Sequence, residues 1–84
     1  MDKYTFHTDP GHGWLEVTRA ELIELGITNQ ISQYSYQKGK LVFLEEDCDT
    51  ARFLNAKSEI GQTFSFREVH LENTPIRNYS QYTA

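Results

Sequence analysis

Between His7 and Trp14 the chain reads His-Thr-Asp-Pro-Gly-His-Gly-Trp: two imidazoles, a carboxylate, a proline, two glycines and the only tryptophan in eight residues. Proline presets φ and glycine admits positive φ, so this stretch must turn sharply. Imidazole and carboxylate are zinc ligands, and a catalytic zinc site needs three of them plus an open position. His7, Asp9 and His12 could supply such a set, with His70 or Glu46 closing it from elsewhere in the chain. The plainer alternative makes His7 a strand residue, Asp9 an acceptor for turn amides and His12 a solvated side chain. His12, between two glycines, is the residue of the loop that another molecule could approach most closely. A bare hairpin needs far less than this loop carries, since Asn-Gly would close it, so the Asp9–Trp14 loop is the expected working surface.

A second group is Glu45-Glu46-Asp47-Cys48-Asp49, four carboxylates in five residues. It does not have the spacing of a twelve-residue calcium loop. Acids before a helix cap its free amides and complement its dipole, which accounts for Asp47 and Asp49. Glu45 and Glu46 are left as an acidic recognition patch. Four carboxylates around Cys48 oppose a thiolate, so that cysteine reads as small, structural and partly buried. Tyr34 and Tyr36 with Lys38 and Lys40 could stack bases and meet phosphates, but strands often carry tyrosine and turns lysine. Arg77 with Tyr79 and Tyr82 forms another basic-aromatic group near the C-terminus. The sequence has no phosphate loop, nucleophile elbow, paired zinc-binding cysteines or dinucleotide fingerprint. The expected contact residues are therefore Asp9, His12, Trp14, Glu45, Glu46, Arg77 and Tyr79, with no catalytic residue, metal ligand or cofactor assigned.

The elements that must position these groups follow from periodicity. Residues 3–8 alternate, with Tyr4, Phe6 and Thr8 on one face, and Trp14-Leu15-Glu16-Val17 pairs back as a hairpin. Thr18-Arg19-Ala20-Glu21 is a capping box, with Val17 and Leu22 as a hydrophobic staple, and Gly26 ends the short helix. Gln33–Tyr36 and Leu41–Leu44 flank a Gly39 turn as a second hairpin. The latter run is apolar on both faces, as a central covered strand should be. A second helix runs from Thr50 to about Ile60, capped by Asp47 or Asp49 and stopped by Gly61. Residues 63–71 alternate as the last strand, with Phe64 and Phe66 on one face. Pro75 opens a partly irregular tail over 74–84. The order is β-β-α-β-β-α-β, which predicts one α+β domain over 1–84: an antiparallel sheet of four or five strands with two helices on one face. Tyr4, Phe6, Trp14, Leu22, Leu25, Leu41, Phe43, Phe53, Leu54, Ile60, Phe64 and Phe66 are the expected core.

Composition narrows the function classes. The chain has 84 residues and a net charge of −4, with one cysteine. The acidic balance argues against nucleic acid as a partner. A single cysteine excludes an intrachain disulfide and fits a reducing compartment. The first residues carry no apolar signal region, and no apolar stretch approaches the roughly 20 residues of a membrane span, so a cytoplasmic protein is expected. A hydrophobic fraction of 38% and a mean hydropathy of −0.61 imply a thin core, which aromatic residues at 13% must fill. A second copy of the chain could cover part of an aromatic face, making a homodimer an expectation.

The segments Thr8–Val17, Ile31–Tyr36, Leu44–Asp49 and Pro75–Tyr79 together resemble a family of small, largely uncharacterised proteins from bacteria, phages and mobile elements. The resemblance spans nearly the whole chain. It implies an accessory protein that binds and modulates or inhibits a host or phage protein, and not a metabolic enzyme. A small metal-dependent enzyme using His7, Asp9 and His12 is the competing expectation.

Overall fold

The first strand, β1 (Asp2–Thr8), turns through the Pro10–His12 loop into β2 (Gly13–Thr18) with Phe6 opposite Leu15 and His7 opposite Trp14. These are the first elements of a computed structural model that describes residues 2–84. The capping box forms as its sequence specifies. The Thr18 hydroxyl accepts from the Glu21 amide, Glu21 accepts from the Thr18 amide at 2.9 Å, and α1 (Arg19–Leu25) starts there. Gly26 ends it in the left-handed region at φ 71°, a conformation that costs glycine nothing. A single 3-10 turn, Thr28–Gln30, leads on to β3 (Tyr36–Lys38) and β4 (Leu41–Glu45), then α2 (Asp49–Glu59), β5 (Phe64–His70), a second 3-10 turn at Pro75–Asn78 and β6 (Ser80–Gln81).

The six strands of the described residues form one sheet in the order β5-β1-β2-β4-β3-β6. This α+β sheet is mixed, where an antiparallel sheet of four or five strands was expected. Both hairpins are antiparallel, but β5 lies parallel to β1, with Asp2 opposite Phe64 and Thr8 opposite His70. The cause is α2. A helix returns the chain to the end of the sheet where β4 began, so β5 must run in the same direction as β4 and β1. The sixth strand comes from the tail, where Tyr36 pairs with Gln81 and Gln37 with Ser80.

Gln33–Tyr36 is a strand only at its last residue. Ser32 and Ser35 instead bend over Asp49, whose Oδ2 accepts from the Ser32 amide at 3.0 Å, the Ser32 hydroxyl at 2.7 Å and the Ser35 hydroxyl at 2.6 Å. Asp49 is thus a buried anchor and not a cap. The N-cap of α2 is Cys48, which makes no side-chain cap bond, and its thiol is exposed, contrary to the expected structural role. Glu45 satisfies the turn before the helix by accepting from the Asp47 and Cys48 amides.

Alternation along the strands divides the apolar residues between two faces. The helix-covered face buries Tyr4, Leu15, Val17, Val42 and Leu44 of the sheet against Leu22 and Phe53 of the helices. The opposite face buries Trp14 and Phe43 under Ile76 of the Pro75–Asn78 turn. Trp14 and Phe43 are core residues, but of this second, smaller core. Ile60 (57% exposed) and Phe66 (47% exposed) lie outside both. Ile60 sits one residue past the end of α2, and Phe66 is on β5, an edge strand of the sheet. No helix among the described residues is long and apolar enough to cross a membrane.

Candidate functional site

The Asp9–Trp14 loop is built around the Asp9 carboxylate. One oxygen accepts from the amides of Gly11 (3.0 Å) and His12 (2.7 Å), and the Asp9 amide donates to the His12 carbonyl at 2.9 Å. Arg77 then grips the same carboxylate with two donors, Nε at 2.5 Å and Nη2 at 3.1 Å. The Arg77 guanidinium, helped by the two loop amides and opposed by burial, holds the Asp9 carboxyl well below the usual carboxylate range. Asp9 in turn raises Arg77. A planar guanidinium held by two parallel bonds along one edge has little freedom left. It lies over the Trp14 indole at 5.5 Å, and the His12 ring stands 6.0 Å from the same indole.

Gly13 matters here for space and not for conformation. Neither Gly11 nor Gly13 has a positive φ. A Cβ on Gly13 would fall 2.7 Å from the Phe6 ring and 3.2 Å from Glu46 Oε2, so only hydrogen fits between the ring and the acidic segment. That close approach, with the Glu46 amide donating to the Gly13 carbonyl at 3.1 Å, joins the loop to the start of the 45–49 run.

Four segments far apart in sequence meet as a result. A groove of about 180 Å³ is lined by His12, Gly13 and Trp14, by Tyr34 and Tyr36, by Glu45, Glu46 and Asp47, and by Arg77. Of the expected contact residues, His12, Trp14, Glu45, Glu46 and Arg77 line it directly. Asp9 stands behind, fixing Arg77. Tyr79 is apart from it, packed on Phe43 at 5.2 Å with Lys38 over its ring at 4.9 Å. Tyr34, Tyr36 and Asp47 were not expected there. The two-residue spacing of the tyrosines was visible, but it reads as a strand; only the Asp49 anchor bends residues 32–35 so that Tyr34 stands 72% exposed beside the loop.

Arg77 and Glu45 are committed, to Asp9 and to the Asp47 and Cys48 amides, but the other polar side chains of the groove are not. Among the described residues, the His12 ring, the Tyr34 and Tyr36 hydroxyls, and the Glu46 and Asp47 carboxylates have no hydrogen-bond partner or ion pair, while Tyr4, His7, Lys57, His70 and Tyr82 all do. A larger concavity of about 690 Å³ separates α1 from α2, but none of its lining residues is aromatic.

His7, Asp9 and His12 do not converge. His7 Nε2 is 2.8 Å from Glu16, Asp9 is held by Arg77, and the His70 ring bonds the Thr8 hydroxyl at 2.9 Å. Among the described residues no group of three or more His, Cys, Asp or Glu side chains is placed to hold a metal ion. The fold and groove define a small α+β domain with a polar-aromatic recess. The chain matches no family model, no curated protein and no solved structure, so the recess is read from its own residues alone.

Proposed function

We propose that the protein acts by binding another protein through the groove between the Asp9–Trp14 loop and the acidic segment. The observation that carries this is the convergence, in one recess, of polar and aromatic side chains that have no hydrogen-bond partner among the described residues. Leaving them unpaired brings no stability; in a contact they become donors, acceptors and stacking surfaces. Aromatic residues are the usual anchors of protein contacts, and Tyr34 and Tyr36 are available for it. The rigid Asp9–Arg77 pair holds the recess open before any partner arrives, which lowers the ordering cost of association.

A role as an accessory or inhibitory factor of a phage or mobile element, acting on a host protein, belongs to the same proposal and is supported by the motif resemblance alone. The test is capture from a bacterial lysate with the wild-type chain and with Tyr34→Ala. Tyr34 is exposed and makes no side-chain hydrogen bond, so the variant keeps the fold. A protein retained by the wild type and lost with Tyr34→Ala supports the proposal. Capture that Tyr34→Ala leaves unchanged removes the groove as the binding surface.

A further inference from the structure

The groove also specifies what enters it, on the reading that it is the binding surface. Three carboxylates, Glu45, Glu46 and Asp47, lie in its wall, and none is within ion-pair distance of a basic side chain among the described residues. The one cation in the lining, Arg77, already has its charge matched by Asp9. The recess is therefore net negative, and its neighbouring carboxylates repel one another until a cation arrives.

Two features sharpen this. On this face of the sheet, cationic groups already rest on aromatic rings: Arg77 over Trp14 at 5.5 Å and Lys38 over Tyr79 at 4.9 Å. Tyr34 is the groove aromatic whose ring is still open. Trp14, only 3% exposed, lines the groove, and its indole N–H has no acceptor among the described residues. That nitrogen is not among the fully buried unpartnered atoms, so the small surface Trp14 keeps includes its donor. A cation cannot accept from it, but a peptide carbonyl can. The recess, about 180 Å³, is of the size that receives a single long side chain.

We infer that the groove takes an arginine side chain from its protein partner. The guanidinium stacks on Tyr34 and faces the Glu46 and Asp47 carboxylates, while an adjoining main-chain carbonyl accepts from the Trp14 indole. Arginine fits better than lysine because its planar head both stacks and forks to carboxylates, and it sheds water more readily.

The experiment is an NMR titration of the full chain with a capped Gly-Gly-Arg-Gly-Gly peptide, with citrulline in place of arginine as the neutral isostere. The arginine peptide should shift the Trp14 indole N–H and the amides near Tyr34, Glu46 and Asp47, and bind about tenfold more tightly than the citrulline peptide. Glu46→Gln with Asp47→Asn, both exposed, should bring the two peptides to similar affinity with the spectrum's dispersion retained. Equal binding of both peptides by the wild type, or no shift at the groove, overturns the arginine inference. If lysate capture still depends on Tyr34 in that case, the binding proposal stands and only the arginine assignment falls.

Discussion

The two faces of the sheet are covered unequally. The helix side gathers ten buried side chains into one core, whereas the other side gathers three, Trp14, Phe43 and Ile76. Both draw on the same strands: in β2, Leu15 and Val17 face the helices while Trp14 and Glu16 face away. On the helix side even the polar groups serve the fold. Tyr4 donates to Glu21 at 2.6 Å, and the buried Lys57 ammonium reaches Asp2 at 2.7 Å and Gln62 at 2.8 Å. Burial, then the bond to Glu21, pushes the Tyr4 hydroxyl up to about 12. On the other side a cover of one 3-10 turn leaves the end of the sheet beside the Asp9–Trp14 loop open, and there the side chains of His12, Tyr34, Tyr36, Glu46 and Asp47 have no hydrogen-bond partner among the described residues. A thin cover makes a weaker core and leaves a groove exposed at the same time.

That division is broken first by truncation. Phe53→Ala, in the centre of the helix-side core, should cost about 3–5 kcal/mol in urea unfolding, a large part of a small domain's stability. Ile76→Ala should cost less, about 2–3 kcal/mol, because the Pro75–Asn78 turn can settle onto the sheet. It should also loosen Arg77 and weaken partner binding, which Phe53→Ala at a temperature where it is folded should not. If the two truncations cost the same and both spare binding, the faces are not specialised. His12→Ala should leave the melting temperature unchanged and weaken binding by about 1–3 kcal/mol, the size of one contact; an unchanged affinity would take His12 out of the surface.

The smallest effect is one that acid removes. Arg77 holds the folded-state pKa of Asp9 below its ordinary 3.8, so the pair's stabilisation is full above that value and lost as the pH falls through the lower, folded-state one. Asp9→Asn should be less stable than the wild type at neutral pH, and the gap should close as the pH drops below 3.8. Asp2, lowered by its bond to Lys57, titrates in the same direction, so it is the difference between the two proteins that isolates Asp9. A gap that persists unchanged into acid would mean that Arg77 does not depend on the Asp9 charge.

The local code of the fold was readable from sequence and its long-range pairing was not. Thr18 and Glu21 define the start of α1 because a capping box is complete within four residues. The hairpins follow from alternation beside glycine-containing turns. The parallel β1–β5 pair has no local signature, since it depends on where α2 sets the chain down. The sixth strand is two residues long, below the reach of any pattern. Asp49 shows the same limit in the site. An acid before a helix looks like a cap from sequence, and only the approach of Ser32 and Ser35 turns it inward. That bend brings Tyr34 to the groove, whereas from sequence Tyr34 stood out only beside Tyr36, Lys38 and Lys40 as a base-stacking group and not beside the loop. Asp9, His12 and Trp14 stood out because a loop so dense in proline, glycine and histidine exceeds what a turn requires; Arg77 stood out only with Tyr79 and Tyr82, and its grip on Asp9, 68 positions away, has no local signature.

The pairing of β1 with β5 also sets the order in which the molecule can assemble. Their partners stand 62 positions apart, while β1 and β2 are joined by a short loop. Closing the long span costs roughly 2 kcal/mol more chain entropy than closing the hairpin. The hairpin and α1 can therefore form while the chain is still being made, but the outer edge of β1 stays bare until residues 64–70 emerge. During that interval the nascent protein exposes a strand edge able to pair with a neighbour, and the docking of β5 is the event that ends the exposure. Ribosome-bound chains halted before Phe64 should thus be captured by chaperones, and chains released beyond His70 should escape them.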